Sequence, residues 1–185
     1  MNESAYNILI VDDDEAAWIQ YKRLLGYQGY TLIFAKNRKE ALTVMDKFSV
    51  ELDTEVHNIR SVIALAILDQ DLKDFDREKD DSEWPDATGL HLIGEVKCCF
   101  RPTRVVMITE HKWKEGKDRG WEAGKLDSNG YYAKTEMLNE RLKHLVGQEL
   151  QKFDQAVKTY NKEIAKENKK RAEEKAVVER IMAGN

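Results

Sequence analysis

Four short apolar runs in this chain each stop at a residue able to do chemistry. Ile63-Ala-Leu-Ala-Ile-Leu68 runs straight into Asp69, and Tyr6 to Val11 stops at Asp12-Asp13-Asp14. Arg104 to Ile108 stops at Thr109, and Gly130 to Ala133 stops at Lys134. A carboxylate cannot sit in a dry interior unless it meets a metal or an opposite charge. Clustered carboxylates also repel one another and hold their protons more tightly, a penalty that a divalent cation removes. Acids, a hydroxyl and an ammonium each end such a run, and acids brought to one edge would need a metal or an opposite charge beside them.

The elements that would gather them follow from the pattern. Short continuous apolar runs ahead of turn chemistry read as strands buried on both faces of a parallel sheet. In open α/β sheets the ligand site lies just past the carboxyl ends of such strands. Thr31 to Ala35 reads as a further strand. Between the runs, Ala16, Ala17, Ile19, Leu24 and Leu25 give one helical pattern. Ala41, Leu42, Met45 and Phe48 give a second, and Leu90, Leu92, Ile93 and Val96 a third. The stretch from Val50 to Ser61 reads as an extension of the second helix followed by a loop.

The ordered set ILIVDDDE, AILDQDL, VVMITE and GYYAK resembles the landmarks of two-component response-regulator receiver domains, over roughly residues 6 to 146. The resemblance implies a flavodoxin-like, doubly wound α/β fold with five parallel strands in the order 2-1-3-4-5, here with an extended C-terminal helix. It implies Asp69 as phosphoacceptor. Magnesium would be held by Asp12, Asp13, Asp69 and the backbone carbonyl of Asp71. Lys134 would neutralise a phosphoryl oxygen. Thr109 would donate its hydroxyl to another, and Tyr131 would be the aromatic switch. Such a domain takes its phosphoryl group from a sensor histidine kinase or phosphotransfer protein and signals to a downstream protein partner. It catalyses at most its own phosphorylation and dephosphorylation.

Three departures from that pattern stand out. Thr135 replaces the usual proline after the lysine, so the Lys134–Thr135 peptide is expected to be trans. Glu110 replaces a small residue after the switch threonine, which implies altered phosphorylation or dephosphorylation kinetics through repulsion. The loop after Asp69 is enlarged into an acidic insert, about 73–88, with seven acids and three bases between Lys73 and Asp86. It reads as a solvated loop or as a lid anchored by Trp84-Pro85. Glycines 116, 120 and 124 recur where the family places its fourth helix, which is therefore expected to be short or irregular.

The receiver unit is assigned to 1–146 and a helical, coiled-coil-like extension to 147–185. Leu138, Leu142 and Leu145 are expected to face the sheet. Beyond them Val146, Leu150, Phe153, Val157, Tyr160 and Ile164 alternate four and three residues apart, the coiled-coil spacing. That seam fades over Glu167, Arg171 and Glu174 and resumes at Val178 and Ile181. It suits a pair of helices from two chains as well as a helix folded onto its own domain. A homodimer is expected through the fourth-helix face or the C-terminal helix.

Composition bounds the rest. The net charge of −4 indicates no bulk attraction to nucleic acid or acidic membranes, and the excess of nine bases over seven acids in 148–182 is small for a DNA-binding arm. No apolar run approaches a membrane span, and no secretory leader is visible, so a cytoplasmic location is expected. Cys98 and Cys99 are adjacent and read as two free thiols. Two other classes compete. One is a phosphohydrolase of the haloacid dehalogenase type, built on Asp69 and Asp71. The other is a receiver-like interaction module that acts without phosphorylation.

Overall fold

The computed structural model describes residues 6–48, 54–56, 58–70, 72, 88–110, 128–134 and 140–183. Five strands, β1 (Asn7–Val11), β2 (Thr31–Ala35), β3 (Ile63–Leu68), β4 (Arg104–Thr109) and β5 (Gly130–Ala133), form one sheet in the order β2-β1-β3-β4-β5. Every pairing is parallel. The order is the one expected. Helices α1 (Glu15–Leu25), α2 (Arg38–Phe48), α3 (Thr88–Cys99) and a C-terminal α4 (Glu140–Ala183) cover the faces.

Alternate residues of the central strands point to opposite faces, which makes two cores. Ile8, Ile10, Leu65, Ile67, Val106 and Ile108 pack with Tyr21, Leu24 and Leu25 of α1 and with α4. Leu9, Val11, Ala66, Leu68, Val105 and Met107 pack with Ala41 and Met45 of α2 and Leu90, Leu92, Ile93 and Val96 of α3. The burial of both strand faces explains why these strands read as unbroken apolar runs.

Helix α1 corrects one detail. Of the apolar pattern Ala16, Ala17, Ile19, Leu24 and Leu25, Ala16 and Ile19 are exposed, and Tyr21 is buried. Asp14 is the N-cap, accepting from the Ala16 N–H at 2.9 Å, and this marks the start of the helix. Tyr21 then falls one turn before Leu24 and Leu25, where it faces the sheet.

Helix α4 resolves the open question about its seam. Leu142, Val146, Leu150, Phe153, Val157 and Ile164 are buried, and Tyr160 is partly buried. Phe153 meets Phe100 and Tyr6 edge-on, with ring centroids 6.2 and 6.4 Å away. The seam up to Ile164 is therefore spent on the chain's own domain. Polar contacts fix its register. Glu149 is buried and accepts from Arg104 Nε at 2.8 Å and Lys152 Nζ at 2.7 Å. Asn161 donates to the Val56 carbonyl and accepts from the Val56 N–H, both at 2.9 Å. The connection between α2 and β3 is thus tied to α4. Asn7 Nδ2 secures it further, donating to the Arg60 and Val62 carbonyls. Residues 59–61 form a single 3-10 turn. The expected extension of α2 falls on 49–53, outside the described residues.

Tyr6 donates to Asp154 on α4 at 2.9 Å. Burial, then the Asp154 carboxylate, pushes its hydroxyl up to about 12. Its contribution to stability is therefore intact below about pH 10, the ordinary tyrosine value. It is lost as pH rises from there toward 12, because only the unfolded chain then releases the proton readily. Tyr6→Phe is expected to cost about 1 kcal/mol at neutral pH. It should also flatten the fall in melting temperature above pH 10, measured by thermal unfolding across pH.

Candidate functional site

The strands place their terminal residues together. Val11 pairs with Leu68, so β1 and β3 end level and Asp12 and Asp69 emerge side by side. Backbone bonds hold both just outside the sheet. The Asp69 N–H donates to the Val11 carbonyl at 2.8 Å and the Asp12 N–H to the Ala35 carbonyl at 3.0 Å. Thr109 pairs with Ala133, which brings Lys134 to the same edge.

Lys134 binds the acids together. Its Nζ donates to Asp69 Oδ2 at 2.8 Å and lies 2.9 Å from Asp12 Oδ2. The second contact is an ion pair without hydrogen-bond alignment, and Asp12 Oδ2, fully buried, accepts no hydrogen bond. Asp12 Oδ1 accepts from the Asp14 N–H at 3.0 Å. Burial raises the proton affinity of the Asp12 carboxyl, and Lys134 pulls it back only in part. For Lys134, burial favours the neutral amine. The Asp69 hydrogen bond, the close contact with Asp12 and the charges of both carboxylates outweigh it and hold the ammonium above its ordinary range.

Asp12, Asp13 and Asp69 each offer a carboxylate oxygen, all within 4.8 Å of one another. With every group ionised, these three charges and Lys134 sum to −2. Hard oxygen donors at this spacing and charge fit a divalent cation. Thr109 is buried at the same edge, and Glu110 beside it is exposed. The structure thus brings together Asp12, Asp13, Asp69 and Lys134, with Thr109 on the same rim. Asp71, Thr135, the acidic insert 73–87, the fourth-helix segment 111–127 and Leu138 lie outside the described residues.

Three features had no signal in the sequence. The Tyr131 hydroxyl donates to the Gln70 side chain, and the Gln70 N–H donates to Asp69 Oδ1 at 2.7 Å. Gln70 is fully buried, so residue 131 is tied to the neighbour of Asp69. Gly89 passes so close that an added Cβ would stand 1.9 Å from the Asp69 carbonyl oxygen. Its N–H donates to the Gln70 carbonyl at 3.1 Å. Only glycine lets α3 begin against this loop. Trp18 also contributes, donating to the Asp12 carbonyl at 2.7 Å.

The comparisons with solved structures bear on this arrangement. A response-regulator receiver domain protein from Methanospirillum hungatei superposes with a TM-score of 0.59 at 22% identity, covering 82% of this chain and 98% of that one. The chain has the receiver fold. NtrX from Brucella abortus matches with a TM-score of 0.62 at 20% identity, over 85% of this chain and 29% of that chain. A response regulator from Burkholderia pseudomallei matches at 0.50 and 18% identity, over 78% and 72% of the two chains. That structure carries a phosphorylated aspartic acid, a calcium ion and citrate. No protein-family model and no curated protein matches the sequence. The fold is held at this low identity because pattern and strand ends constrain it more than residue identity does. No described helix is long and apolar enough to cross a membrane.

Proposed function

We propose that this protein is a phosphorylatable receiver, accepting a phosphoryl group on Asp69 and signalling by a conformational switch to a protein partner. The observation that carries the reading is Lys134 held between Asp12 and Asp69, at 2.9 and 2.8 Å, beside a three-carboxylate cluster. Asp69 is the nucleophile. Lys134 and the Gln70 N–H hold its two oxygens in place, so attack needs no reorientation. The donor is a histidine kinase, a phosphotransfer protein or a small phosphodonor. Asp12, Asp13 and Asp69 would hold Mg2+, joined by the Asp71 carbonyl that the resemblance implies, and the ion would offset the carboxylate charge that repels an incoming phosphate.

Phosphorylation adds charge and strong acceptors at Asp69. Thr109 supplies a hydroxyl to them, and Tyr131 carries the change outward through a shift between two packings. Exposed Glu110 adds a like charge at the rim and slows exchange of the phosphoryl group. The protein is not a dedicated enzyme. Its work is confined to its own phosphorylation state, and its output is docking rather than nucleic-acid or membrane binding. We place the receiver landmarks at 1–146 and treat the helix from 147 as an extension that packs back on the receiver as far as Ile164.

The test is labelling with acetyl phosphate and Mg2+, read by intact mass. One phosphate-sized gain is expected, lost in Asp69→Asn and on chelation. A gain that survives in Asp69→Asn would refute Asp69 as acceptor. No gain from either acetyl phosphate or a panel of histidine kinases would favour a docking module that acts without phosphate.

A further inference from the structure

Beyond Ile164, helix α4 leaves the domain. Residues 165–179 and 181–183 are exposed, and the helix nevertheless runs unbroken to Ala183. Arg171 with Glu167, Lys169 with Glu173, Lys170 with Glu174 and Lys175 with Glu179 form a ladder of i,i+4 ion pairs that supports a solvated helix. At its end stand Val177, Val178, Ile181 and Met182, 54, 54, 63 and 76% exposed. They are four of the six exposed large hydrophobic side chains among the described residues. The rest of the tail shows no such side chain, so this end is where the tail has apolar surface to bury.

We propose that residues 164–183 pair with the same segment of a second copy, antiparallel. The inference rests on the seam and its charges and does not depend on the phosphoacceptor reading. The four-and-three spacing that packs α4 on its domain continues through Glu167, Arg171, Glu174, Val178 and Ile181. In a parallel pair each seam position meets its own copy. Arg171 would face Arg171 and Glu174 would face Glu174, like charges in the centre of the contact.

Antiparallel pairing centred between Ala172 and Glu173 reverses this. Arg171 then meets Glu174 of the second copy, and Glu174 meets Arg171. Val178 lies over Glu167, whose carboxylate is already 3.5 Å from Arg171 of its own helix. Ile181 reaches the level of Ile164, where the packed seam begins. The apolar tip of each helix thus covers the stretch where the other's seam turns polar. The two domains stand at opposite ends, about 25 Å apart along the axis at 1.5 Å per residue. The overlap is short, so association depends on concentration.

The experiment is sedimentation equilibrium of the full chain over a concentration series. The apparent mass is expected to rise toward twofold. Arg171→Glu should hold it near one chain at the same concentrations, and Arg171→Glu/Glu174→Arg should restore the rise. Circular dichroism checks that helix content is kept. A nitroxide on Ala183→Cys, in a background lacking Cys98 and Cys99, should give an interspin distance of about 30–35 Å from the same helical rise. One-chain mass at every concentration would overturn the proposal. So would a dimer indifferent to Arg171→Glu, or an interspin distance near 10–15 Å, which a parallel or tip-to-tip pairing would give.

Discussion

Lys134→Met is expected to destabilise the protein by about 3–5 kcal/mol at neutral pH in the absence of divalent metal, the usual cost of breaking a buried ion pair. The burial justifies a figure in that range. Asp12 and Asp69 side chains are 1 and 8% exposed and Lys134 is 16% exposed, so water compensates little. The pH dependence follows from Asp12. Burial already raises its proton affinity, and Lys134 is the largest influence opposing that rise. Without the ammonium, folded Asp12 holds its proton more tightly than the unfolded chain does. Stability of the variant should therefore recover as pH falls through the raised Asp12 value, and the gap to wild type should narrow. In the wild type, Lys134 has its affinity raised in the folded state. Its contribution is thus complete below the ordinary lysine range, about 10.4, and is lost only as pH rises past it. Urea unfolding at pH 5, 7 and 9 measures this. A pH-independent loss would mean that Lys134 acts by packing alone. Added Mg2+ should recover part of the loss in the variant, because a cation binding only the folded cluster stabilises it by mass action.

Phe153→Ala should cost about 3–5 kcal/mol, the range for a buried aromatic truncated to alanine. Phe153 is fully buried and lies between Tyr6 and Phe100, whose rings it meets edge-on. It joins α4 to the first strand and to the end of α3, so the cavity would open where three elements meet. Val178→Ala, in the same helix and the same heptad seam, is the control, measured at a concentration where the chain is monomeric. Its side chain is 54% exposed, and the change should stay within about 0.5 kcal/mol. Equal losses at the two positions would contradict the division of the seam at Ile164.

That division marks the limit of what the sequence determined. The apolar runs placed the strands and the reactive residues at their ends, whereas the strand order came from the resemblance to receiver domains and is borne out by the sheet. An unbroken apolar run followed by Asp69 admits few readings, because a charge is intolerable within a sheet covered on both faces and acceptable at its edge. Asp12, Asp13, Asp69 and Lys134 were legible for that reason, and the structure gathers them. Side-chain partners were not legible in this way. Nothing local distinguishes a Gln70 that receives the Tyr131 hydroxyl from one that faces water, and Asn161 gives no hint that it caps both polar groups of Val56. Ile19 is exposed because two residues along a helix turn a side chain by more than half a circle, away from the face that Ala17, Tyr21, Leu24 and Leu25 share.

The α4 seam is the clearest case. Its spacing states that one face is apolar and leaves open what covers it, since a partner helix and the chain's own sheet require the same pattern. Tertiary structure decided it by bringing Tyr6, Val56 and Phe100, distant in sequence, to one surface that takes the helix as far as Tyr160, with Ile164 buried one turn beyond.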